Sequence, residues 1–250
     1  MFFKTKELLN VNNALPLHKL FLLDIETVPQ QPAYQQLTTE WQNRWWHKIA
    51  KTIPEGMLPE DSYLQKAGIL AEFGKIICIS IGCFQIRNNE NFLKIRSVYG
   101  HNEKELLQEF LGISNKMCEL KNDFQFAGHN IREFDIPYIC RRMIINQIQL
   151  PQYLCLHNAK PWEVNMLDTL QYWRFGDFKN YITLDLLASV LGVPTSKTDM
   201  DGSMVQEVYY KNNDLPRIVE YCQRDVMVVA NVLLRFNNMP LLKEENVIMI

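Results

Sequence analysis

Apolar positions along this chain change period several times, and each change marks an element. Residues 18–27 contain an unbroken apolar run at 20–23 before the first acid, Asp24, which is the pattern of a strand covered on both faces. Polar residues and Pro29 end it. Residues 75–86 are rich in β-branched side chains, Asn88 and Asn89 supply a turn, and 92–99 read as the return strand of a hairpin. Between 103 and 120, apolar residues at 106, 107, 110, 111, 113 and 117 recur at helical spacing. A short strand is predicted over 124–127. A helix follows over 134–148, where Pro137 is tolerable only in the first turn.

The last third reads as mostly helical. A helix over 183–191 is stopped by Gly192 and Pro194, a short one follows over 203–210, and a long one over 215–236 has Asp214 as its cap. Residues 30–74, with tryptophans at 41, 45 and 46 and prolines at 32, 54 and 59, are read as a helical insertion. Strands come early and helices late, with no internal repeat or low-complexity segment. The order strand, hairpin, helix, strand, helix predicts an α/β fold with a mixed sheet flanked by helices. One domain over 1–250, carrying the insertion, is the expectation.

Composition narrows the partners only a little. A chain of 250 residues that is 47% hydrophobic can bury a substantial core. Its formal charge of −2 supplies no basic block for capturing a polyanion, although a local patch is compatible with it. The six cysteines form no Cys-x-x-Cys pair and sit mostly in apolar runs, so they read as buried reduced thiols rather than a zinc site or disulfide frame. Residues 1–10 are too polar for a signal peptide, and no stretch approaches the roughly 18 apolar residues of a membrane span. A soluble cytoplasmic protein without membrane attachment is expected.

The candidate chemistry lies in scattered acids. Asp24 and Glu26, two apart on a predicted strand, project from one face and can share a cation; a pair of solvated acids at a strand end has the same pattern. Asp135 opens a predicted helix, where the helix dipole alone favours an acid. Tyr221 and Asp225, four apart in a helix, stack on one face, as needed if a carboxylate holds a metal while a phenol orients water. A tyrosine at the core boundary beside a surface aspartate is the plainer account of that pair. Four carboxylates in one cleft repel one another unless cations neutralise them. Two Mg²⁺ or Mn²⁺ ions, hard and oxygen-loving, meet that need. His129 reads as an interior histidine, and Asp168 as structural. Glu220 stands where a histidine base would otherwise be sought.

With these residues in view, the chain resembles the DEDDy 3′-to-5′ exonucleases of the RNase H-like superfamily, above all free-standing homologues of the proofreading domain of family-B DNA polymerases. The likeness rests on Phe21-Leu22-Leu23-Asp24-Ile25-Glu26-Thr27, on Gly128-His129-Asn130-Ile131-Arg132-Glu133-Phe134-Asp135, and on Tyr221-Cys222-Gln223-Arg224-Asp225, in that order. A softer match covers 197–207 around Asp201-Gly202-Ser203; there Asp201 or Ser203 reads as a cap and Lys197 as a phosphate contact.

The resemblance implies an RNase H-like mixed β-sheet flanked by helices. It makes Asp24 the ligand shared by two metals, with Glu26 and Asp225 completing one site, Asp135 supporting the other, and Tyr221 orienting the water or helping to deprotonate it. It also implies that Ile25 and Thr27 meet the terminal sugar through their backbone, and that Asn130 and Phe134 line the path of the last nucleotides. Trp41, Trp45 and Trp46 are a candidate stacking platform or, equally, core. Fourteen residues follow the last predicted helix, too few for a polymerase. The expectation is therefore a protein that acts alone or is recruited to a polymerase or repair complex. The expected activity is trimming of single-stranded DNA 3′ ends to nucleoside 5′-monophosphates. An exoribonuclease, or a non-catalytic nucleic-acid-binding protein of the same fold, are the alternatives.

Overall fold

The structure, a computed structural model, describes residues 15–88, 90–120, 123–160, 163–196 and 200–250. Strand β1 (Leu20–Pro29) is buried along nearly its whole length because sheet neighbours flank it and helices cover both faces. β2 (Gly74–Arg87) and β3 (Glu90–Tyr99) form the expected antiparallel hairpin, and β2 also pairs antiparallel with β1. β4 (Gln125–Gly128) and β5 (Met166–Asp168) extend the other side in parallel, and β6 (Val247–Met249) joins β3 in parallel. The described residues thus form a six-stranded mixed sheet ordered β5-β4-β1-β2-β3-β6. It is a mixed sheet flanked by helices, as the sequence predicts.

Alternation along β1 decides which face carries what. Phe21, Leu23 and Ile25 pack against α3 (Glu103–Leu120) and α4 (Asp135–Ile145). Leu20 and Leu22 face α8 (Leu215–Phe236) through Val226, Val229 and Leu233. Because side chains alternate with period two, Asp24 and Glu26 follow Leu20 and Leu22 onto the α8 face. Gly82, opposite Leu22 in β2, brings α8 close to the sheet: a Cβ built there would stand 2.7 Å from Cγ1 of Val226 and 3.3 Å from Cβ of Leu22. A neighbouring layer, α7 (Val205–Tyr210), packs on Val28 and Ile77 beside the first half of α8. α5 (Thr169–Arg174) and α6 (Leu184–Val190) pack on its second half.

Between 30 and 74 the chain forms α1 (Thr39–Ile49) and α2 (Pro59–Lys66), which close on Phe73 through Trp45, Ile49, Tyr63 and Ala67. The indole N–H of Trp45 donates to Pro59 O at 3.2 Å and Ser62 Oγ at 3.0 Å. No helix among the described residues is long and apolar enough to cross a membrane.

Three expectations need correction. The first strand starts at Leu20 rather than residue 18, since 17–19 close a 3₁₀ turn. Strands are not confined to the early chain, because β5 and β6 lie late; at three residues each they are too short to show an alternating pattern. The three tryptophans are not one surface: Trp45 is fully buried, whereas Trp41 and Trp46 are 41% and 43% exposed.

One buried ion pair fixes α4 against the rest. Glu103 accepts from Arg142 Nε at 2.8 Å and Nη2 at 2.5 Å, from Ile76 N at 2.7 Å, and from Asn146 Nδ2 at 2.8 Å. Arg142 Nη1 also donates to Ala71 O at 2.8 Å. Every branch of the pair has a partner, so removing one side strands a buried charge. Arg142→Met is expected to lower unfolding free energy by about 3–5 kcal/mol in urea denaturation; a loss below 1 kcal/mol would show that the pair is not needed.

Candidate active site

The parallel ladder between β1 and β4 stops at Leu22 and Ala127, so the β1 edge beyond it has backbone groups without a strand partner. Asp135, the first residue of α4, fills part of that gap: its Oδ1 accepts the N–H of Ile25 at 3.2 Å. This bond lies between Asp24 and Glu26 and draws the start of α4 to the carboxyl end of β1, the usual place for a ligand in an α/β sheet.

The turn that delivers Asp135 is itself held by Asp168. One carboxylate oxygen of Asp168 accepts from Asn130 N at 3.0 Å and Leu170 N at 2.9 Å, and the other from Arg132 N at 3.1 Å. Asn130 adopts φ 60°, a left-handed conformation that asparagine tolerates better than most residues. Gly128 passes so near β1 that a Cβ would lie 2.7 Å from Leu23 O. Asp168 is therefore structural, as its sequence context suggested. His129 is too: its ring nitrogens lie 2.9 Å from Thr169 Oγ1 and 2.9 Å from Ile182 O, which makes Nε2 the donor to the carbonyl.

Tyr221 and Asp225 come down on the same cleft from α8. Both stand close enough to Asp24 and Glu26 for their charges to interact, and Tyr221 is hydrogen-bonded to Asp225. Glu26 is buried, 7% exposed. Burial, then the charges of Asp225 and Asp135, hold the Asp24 carboxyl well above its usual range. Burial and then Asp24 and Asp225 do the same to Glu26. Asp135 is pushed up to about 7, chiefly by burial and then by Asp168 and Asp225, against the lowering effect of its backbone hydrogen bonds. Burial and the neighbouring carboxylates raise the Tyr221 phenol as well.

All five predicted catalytic side chains thus meet in one cleft. Ile25 is buried and its N–H is taken by Asp135; Thr27 sits half-buried at a β-bulge. Phe134 precedes α4 with its ring 5.4 Å from that of Tyr138, and Asn130 lies in the turn upstream. Glu220 points away and is exposed. Asp201 caps a 3₁₀ turn, accepting from Ser203 N at 2.8 Å, and Lys197 lies outside the described residues.

Two features escaped the sequence reading. Cys222 places Sγ 3.2 Å from Oδ2 of Asp24, although in the sequence it looks like any thiol in an apolar run. Phe175 and Phe178, each 84% exposed, and Tyr181, 62% exposed, project from a segment fastened to the Asp135 turn by Arg174 and Glu133 (3.3 Å) and by Ile182 and His129. Clustered aromatic residues between two helices were the available signal.

A family model described as "Predicted 3'-5' exonuclease related to the exonuclease domain of PolB" matches residues 70–246. The chain belongs to this family. The matched stretch includes Asp135, Tyr221 and Asp225 and begins after Asp24 and Glu26, which the fold brings to the same cleft. Membership makes this a domain of the PolB-related exonuclease type. Among solved structures, the family B DNA polymerase from the hyperthermophilic archaeon Pyrobaculum calidifontis aligns at 14% identity and a TM-score of 0.48, over 87% of this chain and 24% of the polymerase. The chain therefore spans about a quarter of that enzyme's length. No curated protein matches it in sequence.

The donor set fits hard divalent cations. Carboxylate oxygens are what Mg²⁺ and Mn²⁺ prefer, and a buried Glu26 beside Asp24 is costly to ionise without a counter-charge. A PolB-related exonuclease stripped of metal should accordingly lose stability as pH rises. The folded state keeps a proton on Asp135 up to about pH 7, while the unfolded chain releases it near 3.8, so stability is fully present below the lower value and lost through the upper one. In chelator, unfolding free energy is expected to fall from pH 5 to pH 8, with Asp135 contributing on the order of 3 kcal/mol. Asp135→Asn, which keeps the acceptor for Ile25, should make the profile shallower, with Asp24 and Glu26 supplying the slope that remains; a parent profile already flat would contradict the reading.

Proposed function

We propose that this protein is a divalent-metal-dependent 3′-to-5′ exonuclease that removes nucleoside 5′-monophosphates from single-stranded DNA ends. The observation carrying this reading is the meeting of Asp24, Glu26, Asp135, Asp225 and Tyr221 at the open end of β1, supported by family membership. Asp24, Glu26 and Asp225 would hold one ion, and Asp24 with Asp135 the other. Two Mg²⁺ or Mn²⁺ ions held there would neutralise the carboxylates and would supply charge stabilisation for both oxygens of an in-line displacement at phosphorus.

The protein's own groups have separable tasks. Burial and the surrounding carboxylates hold the proton on the Tyr221 phenol, which would orient the attacking water. The Asp225 carboxylate is hydrogen-bonded to that phenol and fixes where it points. Asp135 fixes the strand edge by accepting from Ile25, leaving the neighbouring peptides to face the terminal nucleotide. Asn130 and Phe134, upstream in the same turn, line the approach.

Two features support a single-stranded end over a long duplex. A formal charge of −2 is poorly suited to following many phosphates. The exposed rings of Phe175, Phe178 and Tyr181, fastened to the Asp135 turn, offer unpaired bases faces on which to stack.

Asp24→Asn and Asp225→Asn are expected to reduce release of mononucleotides by roughly 10³-fold or more while leaving the apo protein as stable as the parent. Oligonucleotides labelled at the 3′ or the 5′ end would report polarity, and matched RNA strands would report the sugar. Cleavage at the parent rate by either variant would remove that residue from the mechanism.

Phe178→Ala should raise KM for a single-stranded decamer through the loss of about 1–3 kcal/mol of stacking and leave a dinucleotide substrate unaffected. Equal effects on both substrates would show that the ring does not meet the upstream bases.

A further inference from the structure

Past the carboxyl end of β1, the chain encloses a second hollow that takes no part in the chemistry at the acids. It measures about 240 Å³, and Gln30, Gln31, Gln36, Trp41, Glu72 and Phe73 line it. Its walls are tied in place. Gln30 Nε2 donates to Glu72 O and Gly74 O, each at 3.4 Å, and Gln31 N donates to Tyr63 Oη at 3.3 Å. Gln42 Nε2 donates to Tyr34 O and Leu37 O, each at 3.3 Å, which holds residues 34–37 against α1. Trp41 and Phe73 meet edge to face, with centroids 5.5 Å apart and planes at 88°, yet Trp41 stays 41% exposed, so ring surface is left for a ligand.

α1 extends this surface with cations. Residues 41, 44 and 48 are spaced i, i+3 and i+7, which makes one stripe beside the buried Trp45 and Ile49. The Arg44 guanidinium carbon lies 5.8 Å from the Trp41 ring centroid. Arg44 is paired with Glu40 at 2.5 Å and Lys48 with Glu72 at 3.9 Å, all four side chains exposed. Exposed pairs of this kind contribute little to stability, so a phosphate can take over either cation. Side-chain amides both donate and accept, as the edge of a purine or pyrimidine does, and an aromatic ring stacks on any base.

The hollow also lies within reach of the acids. Gln30 follows the last residue of β1 and stands four residues after Glu26, no more than about 13 Å along an extended chain. Residues 30–41 are upstream of the stretch matched by the family model, 70–246, so most of the lining comes from outside that stretch.

We propose that this hollow is a subsite for one unpaired base of a nucleic-acid strand whose 3′ end occupies the acidic cleft. Trp41 stacks on the base, the glutamine amides meet its edge, and Arg44 and Lys48 meet the adjoining phosphates. The proposal rests on the nuclease reading for where the strand ends, and it adds a contact separate from the rings of Phe175, Phe178 and Tyr181. Strands long enough to reach the subsite are held more tightly than the shortest substrates.

The test uses the full chain with Mg²⁺ and oligothymidylate as probe. Binding is read by fluorescence anisotropy in the Asp225→Asn background, where the strand stays whole, and cleavage is read with Asp225 in place. Trp41→Ala is expected to weaken binding of a decamer roughly tenfold, Trp41→Tyr to restore most of the loss, and the Trp46→Ala control to leave binding unchanged. With 5-iodouracil moved along the strand, one position should crosslink to Trp41. An abasic nucleotide at that position should cost as much as Trp41→Ala, and the two losses should not add. Lys48→Met should lower the slope of log Kd against log salt by about 0.7. Cleavage of a dinucleotide should be the same in Trp41→Ala as in the parent. Undiminished decamer binding in Trp41→Ala, or losses that add at every abasic position, would overturn the proposal. Should Trp41→Ala not fold, the crosslink and the Lys48→Met slope decide, and absence of both effects overturns it. A protein that binds strands in this Trp41-dependent way but cleaves nothing would refute the nuclease reading and leave the subsite standing. One whose Trp41→Ala variant trims the decamer with the parent's KM would do the reverse.

Discussion

Like charges gathered in a poorly hydrated cleft repel one another, and the fold must hold them there by other means. Here the acids at the end of β1 are kept together by two devices that involve little charge. Apolar contact between α8 and Leu20, Leu22 and their neighbours fixes the face that Tyr221 and Asp225 present. A single backbone donor, Ile25 N, fixes Asp135 at the end of a strand whose parallel partner has already stopped. The elevated proton affinities of Asp24, Glu26 and Asp135 are the electrostatic counterpart of that enforced proximity, which a bound cation would relieve.

Legibility in the sequence followed the number of repeats an element offers. The helices over 103–120 and 215–236 were readable to the residue, because each runs for several turns with a clear apolar stripe. β5 and β6, at three residues each, display no period and gain their conformation from pairing with β4 and β3. Among the site residues, Asp24 with Glu26 and Tyr221 with Asp225 were legible because fixed spacing on a strand or helix dictates a shared face. The part played by Asp168 was not: only the assembled structure reveals that backbone donors from two turns converge on it. Trp45 and Trp46 are adjacent in sequence, yet one is core and the other surface, since α1 presents only one stripe to Phe73 and Tyr63.

Family likeness and geometry contribute different halves of the site. The matched stretch from 70 to 246 contains β2, β3, α4 and α8, and with them Asp135, Tyr221 and Asp225. Asp24 and Glu26 lie upstream, on the strand that pairs between β4 and β2. A central strand has no freedom to slip, because moving it by one position would turn its apolar residues to the wrong layers. Its acids are therefore held as firmly as those within the matched stretch.

Gly82 gives this arrangement an evolutionary signature. With hydrogen in place of a side chain, β2 lets Val226 rest on the sheet one residue beyond Asp225, so the gap between helix and strand is set by what positions 82 and 226 hold together. Relatives that carry a methyl or larger group at the first position should show a smaller residue at the second. The two sites ought to vary in step, even though neither one bears a charge.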